Sequence, residues 1–321
     1  MSLTRLLFKS LAWLIACSAG VVVLALGYTV YVVESFDTET LPARYGEVDA
    51  KLYVQEGAAR PLLVGLGGAE GGNAWASQRW KAQRDRFQQA GYAVLALGYF
   101  GLPNTPQTLD RIALEGIHRA ITQAQSNPAV SDQCVVILGG SKGAELALAL
   151  ASHYPDIDAV VALAPADTVF PAHTDAMNTS SWALEGEPLP FVPIPWAATW
   201  DLIRGDLLAV MERALSDKDG VAAAAIAVER IQGPVLLISA MGDEMWPATQ
   251  MADRMIARLE QNGFRFPHRH LAVEGGHAAV LDQFAEVETF LQSEVAAQPD
   301  CATALATDSA SRSDRFDHPD P

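Results

Sequence analysis

Val135-Val136-Ile137-Leu138-Gly139-Gly140-Ser141-Lys142-Gly143 joins an aliphatic run to a glycine-rich turn that contains a serine. Its aliphatic first half predicts a buried strand, and the alanine- and leucine-rich run 144–153 predicts a helix directly after it. The Gly-x-Ser-x-Gly pattern between them is typical of a sharp turn that strains the serine backbone and exposes its hydroxyl at the head of a helix. Small residues at Gly139 and Gly143 relieve the crowding between strand and helix. We therefore interpret Ser141 as a nucleophile rather than only a helix N-cap.

After Tyr53, short apolar runs alternate with longer amphipathic ones, which predicts βαβ units. The predicted strands are rich in Val, Ile and Leu and span 62–66, 93–97, 135–138, 159–163, 235–239 and 270–273. The predicted helices span 80–90, 109–125, 143–153, 247–261 and 279–296. Together with the Gly-x-Ser-x-Gly turn, this order predicts an α/β-hydrolase fold, with a mostly parallel central sheet and helices on both faces.

A serine hydroxyl attacks poorly unless a base removes its proton, and this fold supplies its partners in the order Ser, acid, His. Asp243 follows the strand 235–239 and is positioned to orient an imidazole, with Glu244 beside it as the alternative. His277 follows the last predicted strand in a glycine-rich turn, a placement that no other histidine of the chain shares. The sequence therefore predicts a catalytic triad of Ser141, Asp243 and His277.

The glycine-rich loop 65–72 follows the first predicted strand and lets the backbone approach a substrate closely. We expect an oxyanion hole made by the N–H groups of Lys142 and Ala69, with Gly68 or Glu70 as alternatives to Ala69. Gly68 and Glu70 are also expected to contact the substrate. A phosphate-binding loop is discounted because no Gly-Lys-Ser/Thr follows.

The segment from about 166 to 230 interrupts the alternation of strands and helices. It carries clustered prolines and three tryptophans, at 182, 196 and 200. A connection this long predicts a lid over a pocket, with Trp182 in contact with the substrate; a surface excursion with packed aromatics is the alternative. The tail 298–321 is poor in large apolar residues and is predicted to be disordered, which leaves 34–297 as the hydrolase domain.

Residues 11–33 contain no charged side chain and are numerous enough for a helix to cross a bilayer. Arg5 and Lys9 precede this stretch, so we expect residues 1–10 in the cytoplasm and the hydrolase domain outside, in the periplasm if the source is bacterial. The alternatives to this signal-anchor helix are a cleaved signal peptide and a lipoprotein signal processed at Cys17.

The formal net charge of −16 argues against a nucleic-acid partner, because phosphate binding requires a basic surface. Cys17, Cys134 and Cys301 show no spacing typical of a metal site or a disulfide framework. We therefore expect no metal, no cofactor and no disulfide. The expected partners are a small acyl substrate and the membrane.

Several stretches resemble the catalytic domain shared by bile acid-CoA:amino acid N-acyltransferases and acyl-CoA thioesterases. They are 67–72, 91–101, 139–143, 181–190 and 226–239, the last of which runs on to Trp246-Pro247 and is the most specific. The resemblance covers roughly 62–291 and implies the same triad, Ser141, Asp243 and His277. A serine nucleophile, where the family's amino-acid transferases resemble cysteine enzymes, favours hydrolysis over amide synthesis.

The resemblance implies an acyl-CoA thioesterase-like serine hydrolase, with a carboxylesterase or lipase-like enzyme as the alternative and a non-catalytic anchored binding domain as the second alternative. The family's larger members carry an immunoglobulin-like domain ahead of the hydrolase, for which residues 34–60 are too few. An outward-facing domain would also meet little cytoplasmic acyl-CoA. The side chain of Lys142 is expected to be solvated, with a CoA phosphate as its alternative partner.

Overall fold

The computed structural model describes residues 3–302. The strands are β1 (Asp49–Tyr53), β2 (Arg60–Leu66), β3 (Ala93–Gly98), β4 (Ile112–Ala113), β5 (Val130–Gly140), β6 (Ala159–Leu163), β7 (Trp182–Leu184), β8 (Glu187–Pro188), β9 (Val235–Ala240) and β10 (His268–Val273). The α-helices are α1 (Leu3–Ser35), α2 (Lys81–Gln89), α3 (Leu114–Gln125), α4 (Lys142–His153), α5 (Thr199–Arg204), α6 (Leu207–Ala214), α7 (Lys218–Ala224), α8 (Ala248–Gln261) and α9 (Phe284–Phe290).

The central sheet has seven strands in the order β1-β3-β2-β5-β6-β9-β10. All neighbouring pairs are parallel except β1 with β3. The predicted α/β-hydrolase fold is confirmed, and each predicted strand forms. We did not predict β1, which is a half-exposed edge strand without the aliphatic run that marks the buried strands.

The two faces of the sheet carry separate hydrophobic clusters. Along β5, Val135 and Ile137 belong to the cluster that contains the apolar side chains of α3, α4 and α8. Val136 and Leu138 point to the other face and join the cluster that contains those of α9. This alternation explains why the central strands are aliphatic at every position, because both faces are covered.

The helix predicted over 109–125 begins only at Leu114. Arg111 adopts a positive φ of 43°, and its N–H donates to the carbonyl of Ser180. This turn directs Ile112–Ala113 into a second, three-stranded sheet of order β4-β7-β8. The predicted final helix is also divided, into a 3-10 segment (His277–Asp282), α9 and a π-helical turn (Leu291–Val295).

The expectation of no disulfide is wrong. Cys134 in β5 is bonded to Cys301, 167 positions later, and both side chains are fully buried. Residues 299–302 are helical, so the predicted disordered tail does not begin at 298. The rest of that tail, 303–321, lies outside the described residues. Sequence spacing could not show this bond, because the two cysteines meet only through the folded sheet.

The segment 166–230 does not form a single lid. Its first part contains Trp182 and β7, which belong to the hydrophobic core. Its second part, with α5, α6 and α7, packs through Val192, Ala214 and Ala224 on a smaller cluster around Trp246. That this second part acts as a lid over the pocket stays a prediction.

The N-terminal helix α1 contains the predicted span 11–33. Its stretch Ala16–Ser35 is long and apolar enough to cross a membrane, and a signal sequence would satisfy the same criterion. The side chains of residues 16–31 are exposed and contribute nothing to the core.

Candidate active site

The turn between β5 and α4 holds Ser141 in a strained backbone conformation, with φ 57° and ψ −123°. The close approach of strand and helix requires glycine on both sides of it. A Cβ at Gly139 would lie 1.9 Å from the carbonyl oxygen of Gly143, and one at Gly143 would lie 2.3 Å from that of Gly67. The turn therefore has the geometry of a nucleophile elbow, with Ser141 at the head of α4.

The imidazole of His277 lies between Ser141 and Asp243. Its Nε2 is 3.0 Å from Ser141 Oγ, and its Nδ1 is 2.8 Å from Asp243 Oδ2. The Asp243 side chain is only 2 % exposed, and its Oδ1 accepts the N–H groups of Met245 at 2.8 Å and Trp246 at 3.3 Å. The carboxylate is thus fixed by backbone donors and directed at the ring. Three loops far apart in the sequence converge into a hydrogen-bonded relay.

Glu244, the alternative acid, contacts the backbone of His277 and not its ring. Its Oε2 accepts the backbone N–H of His277 at 2.8 Å rather than contacting the imidazole. The Trp246 ring and the imidazole pack edge to face, with ring centroids 5.0 Å apart and planes at 83°. Glu244 and Trp246 therefore position the histidine loop, and Asp243 alone of the two acids meets the ring.

Ser141 and His277 open onto a cleft of about 460 Å³. Gly68, Ala69 and Glu70 line it, and their contact with a substrate stays a prediction. The rest of its wall is largely apolar and includes Trp75, Trp80, Leu163, Met245, Val280 and Leu281. Such a wall suits an acyl chain beside a polar reacting centre.

The N–H groups of Lys142 and Ala69 have no hydrogen-bond acceptor among residues 3–302. Lys142 is the first residue of α4, where N–H groups lack intrahelical partners. The loop that carries Ala69 is held by Tyr99, whose hydroxyl donates to the carbonyl of Gly67 at 2.6 Å. Both N–H groups are therefore free to bind an oxyanion. No group of three or more His, Cys, Asp or Glu side chains in this part of the chain could hold a metal ion.

The family model described as BAAT / Acyl-CoA thioester hydrolase C terminal matches residues 112–281, more than half of the chain. The chain belongs to this family. The matched stretch contains Ser141, Asp243 and His277, while the loop of Ala69 precedes it. The resemblance inferred from the sequence motifs is thereby confirmed.

Curated relatives of this BAAT-family chain include acyl-coenzyme A thioesterase 1 of Mus musculus, 28% identical over 74% of this chain and 53% of the relative. Acyl-coenzyme A thioesterase 2, mitochondrial, of Homo sapiens is 27% identical over 74% of this chain and 46% of that protein. The chain spans about half the length of the curated relatives it matches.

Solved structures show the same fold. A puromycin-hydrolyzing peptidase of Mycobacterium tuberculosis superposes with a TM-score of 0.54 and 17% identity, over 80% of this chain and 40% of that one. Pyrococcus horikoshii acylaminoacyl peptidase gives a TM-score of 0.54 and 13% identity, over 77% and 39% of the two chains.

The side chain of Lys142 is not solvated, contrary to the sequence-based expectation. It is 1 % exposed, and its Nζ donates to the two carboxylate oxygens of Glu145 at 2.8 and 2.7 Å. The Glu145 carboxylate also accepts the N–H of Phe170 at 3.1 Å. Burial lowers the pKa of the Lys142 ammonium and raises the pKa of the Glu145 carboxyl, and the ion pair opposes both shifts. Lys142 is therefore unavailable to a CoA phosphate.

The prediction that Trp182 contacts substrate is wrong. This side chain is fully buried, and its Nε1–H donates to Glu145 Oε1 at 2.7 Å. Its ring packs edge-on against Tyr99 and beneath the Lys142 ammonium. Trp182 thus supports the elbow from behind instead of lining the cleft. Sequence reasoning missed Glu145, although a glutamate in an otherwise apolar helix such as α4 signals a buried partner.

We expect Lys142→Met to lower the free energy of unfolding by about 3–5 kcal/mol, because it leaves the Glu145 carboxylate buried without its counter-charge. Lys142→Met combined with Glu145→Gln should recover most of this loss. Urea denaturation of the full chain in detergent measures the effect. The matched control is Lys81→Met, which removes the half-exposed pair of Lys81 with Asp85 and should cost less than about 1 kcal/mol. Equal losses in the two single variants would contradict the prediction.

Proposed function

We propose that this BAAT-family chain is a membrane-anchored serine hydrolase that cleaves acyl thioesters through an acyl-enzyme intermediate. Ser141 is the nucleophile, His277 the general base and acid, and Asp243 the residue that orients the imidazole. The observation that carries the proposal is the His277 ring, which bridges Ser141 Oγ at 3.0 Å and the Asp243 carboxylate at 2.8 Å.

In the first half of the reaction, Ser141 Oγ attacks the thioester carbonyl while His277 Nε2 accepts its proton. The carbonyl oxygen becomes an oxyanion that binds the N–H groups of Lys142 and Ala69. The C–S bond then breaks, and the thiol departs with the proton from His277. In the second half, His277 takes a proton from water, the resulting hydroxyl attacks the acyl-serine, and Ser141 regains its proton as the acid leaves.

The substrate class rests on two supports. The curated relatives are named acyl-coenzyme A thioesterases. The largely apolar cleft next to Ser141 matches an acyl chain. A thioester of a fatty or otherwise apolar acid is therefore our first candidate substrate.

We infer that α1 anchors the protein with residues 1–10 in the cytoplasm and the hydrolase domain outside. Arg5 and Lys9 precede the uncharged stretch 11–33, at the end of the span that we assign to the cytoplasm. The Cys134–Cys301 disulfide supports the outer location, because such bonds persist in oxidising compartments. This location favours a second candidate function, a carboxylesterase or lipase-like hydrolase, because acyl-CoA is a cytoplasmic metabolite.

A matched substrate panel on the full chain in detergent distinguishes the two candidates. The panel carries one decanoyl group on three leaving groups: coenzyme A, N-acetylcysteamine and p-nitrophenol. We expect kcat/KM for a thioester to exceed that for the ester by about tenfold or more, which is ~1.4 kcal/mol of transition-state binding. Hydrolysis of the ester alone would favour the second candidate. Hydrolysis of none, with Ser141 unreactive toward a fluorophosphonate, would contradict both.

A further inference from the structure

The residues of the candidate site share one edge of the central sheet. Ser141 follows β5, Asp243 follows β9 and His277 follows β10. These strands run parallel, so the loops beyond their carboxyl ends meet at the same edge, which we call the carboxyl edge.

The end of α1 and the residues that directly follow it are hydrogen-bonded to this same edge. Asn178 Nδ2 donates to the carbonyl of Val33, near the end of α1, at 3.0 Å. The guanidinium of Arg111 donates to the carbonyls of Thr38 at 2.8 Å and Asp37 at 3.2 Å. Arg111 lies in the connection that leaves the carboxyl end of β3, and Asn178 in the one that leaves the carboxyl end of β6.

Arg111, which donates two of these hydrogen bonds, is itself held in place by its neighbours. The Arg111 side chain is 3 % exposed and forms two hydrogen bonds with the Asp110 carboxylate, at 3.0 and 2.9 Å. Thr179 Oγ1 donates to the same carboxylate at 2.7 Å. If α1 spans a bilayer, these hydrogen bonds hold this part of the carboxyl edge close to the surface of that bilayer.

An exposed apolar surface occupies the same side of the molecule. Trp196, Trp200 and Ile203 are 57 %, 64 % and 69 % exposed. Their spacing of four and three residues places them on one face of the helical segment that includes α5, and we call these three residues the aromatic face.

The position of the aromatic face follows from its neighbours. Asp201 of α5 accepts a hydrogen bond from Arg213 of α6. Leu208 and Glu212 of α6 line a small surface depression together with Asp243, beyond the end of β9. The aromatic face therefore belongs to the carboxyl edge.

The remaining exposed large apolar side chains show the same bias. Outside α1, the described residues expose only two others of this kind, Met241 at 58 % and Val54 at 39 %. Met241 directly follows β9 at the carboxyl edge. Val54 follows β1, whose end pairs with the start of β3, and so lies at the opposite edge.

We propose that the aromatic face docks on the surface of the bilayer that α1 spans, so that the site receives amphiphilic acyl substrates from the membrane. This proposal deepens the proposed function and rests on its anchored hydrolase. Tryptophan side chains favour the membrane–water interface, where the ring meets lipid and its N–H meets water. The net charge of −16 opposes attraction to anionic lipids, so the contact depends on insertion of apolar side chains.

Depth-dependent quenching tests the proposal without requiring activity. Cys17, an exposed free thiol, is first replaced by Cys17→Ser. A fluorophore is then attached to full chains carrying Ile203→Cys, Trp200→Cys or, as the matched control at the opposite edge, Val54→Cys. Each protein is reconstituted at one copy per phosphatidylcholine nanodisc, with a nitroxide quencher near the lipid headgroups.

We expect quenching at positions 200 and 203 to exceed that at position 54 by about threefold or more, because interfacial side chains lie within about 5–10 Å of the headgroup boundary. Replacing a third of the lipid with anionic phosphatidylglycerol should not raise this ratio, because the net charge of −16 is repelled by an anionic surface. Equal quenching at all three positions would overturn the docking. The docking would also be overturned if position 203 were unquenched at one copy per disc and became shielded from solvent only at two copies per disc. That result would assign the aromatic face to a second copy of the chain.

The anchoring by α1, the docking of the aromatic face and the hydrolase activity are tested by separate outcomes. Protein that does not float with the lipid would overturn the anchoring by α1, and the docking with it. Protein that floats, but whose position 203 is unquenched, would overturn the docking alone. Strong quenching at position 203 in a protein whose Ser141 is unreactive would support the docking and contradict the proposed hydrolase.

Discussion

Ser141→Ala is expected to lower kcat for the preferred substrate by a factor on the order of 10⁶, because a nucleophile and its base act as one unit. Ser141 Oγ is the hydroxyl that contacts His277 Nε2, and alanine offers no atom for acyl transfer. The fold should survive, since the serine side chain is not needed to close the elbow and alanine adds no bulk. Any remaining rate above that of uncatalysed hydrolysis in water would come from the oxyanion hole and substrate binding.

Two measurements check this expectation on the full chain in detergent. A fluorophosphonate probe should label the unaltered protein and fail to label Ser141→Ala, while circular dichroism shows the same fold. Ser126→Ala serves as the control, because Ser126 is exposed at the end of α3, opposite the carboxyl edge. Unchanged turnover in Ser141→Ala would mean that another residue is the nucleophile.

Asp243→Asn is expected to lower kcat by a factor on the order of 10⁴ with little loss of stability. The Asp243 carboxylate accepts a hydrogen bond from the Nδ1–H group of His277, which leaves Nε2 free to take the proton of Ser141. An amide in its place can donate to Nδ1 instead. The remaining ring proton then lies on Nε2, where it prevents the imidazole from acting as a base.

The adjacent glutamate provides a matched control for this variant. Glu244 accepts the backbone N–H of His277 and does not touch the ring. Glu244→Gln retains an oxygen acceptor for that N–H, so its loss of kcat should stay below about tenfold. Steady-state kinetics of the two variants gives the comparison. A larger loss in Glu244→Gln than in Asp243→Asn would exchange the roles that we propose for them.

Much of the architecture was predictable because its signals are local. The buried strands β2, β3, β5, β6 and β9 carry aliphatic runs that only a sheet covered on both faces requires. The elbow around Ser141 was predictable for a similar reason, since a serine held at positive φ between a strand and a helix requires small neighbours at fixed positions.

The acid was only partly predictable. Asp243 and Glu244 are adjacent in one turn, and their side chains contact different parts of His277, one the ring and the other the backbone. No composition or spacing rule separates two neighbouring carboxylates whose roles depend on the direction in which each one points.

Local patterns in the chain thus predicted the buried parallel strands of the central sheet, the elbow and the family, because each depends on neighbouring residues and on hydrophobic periodicity. Three buried contacts became visible only in the folded protein: the Cys134–Cys301 bond, the burial of Lys142 against Glu145, and the position of Trp182 behind the elbow. A buried partner is selected by the packing of the whole sheet, and residues far apart in the chain acquire their environment only when that sheet is assembled.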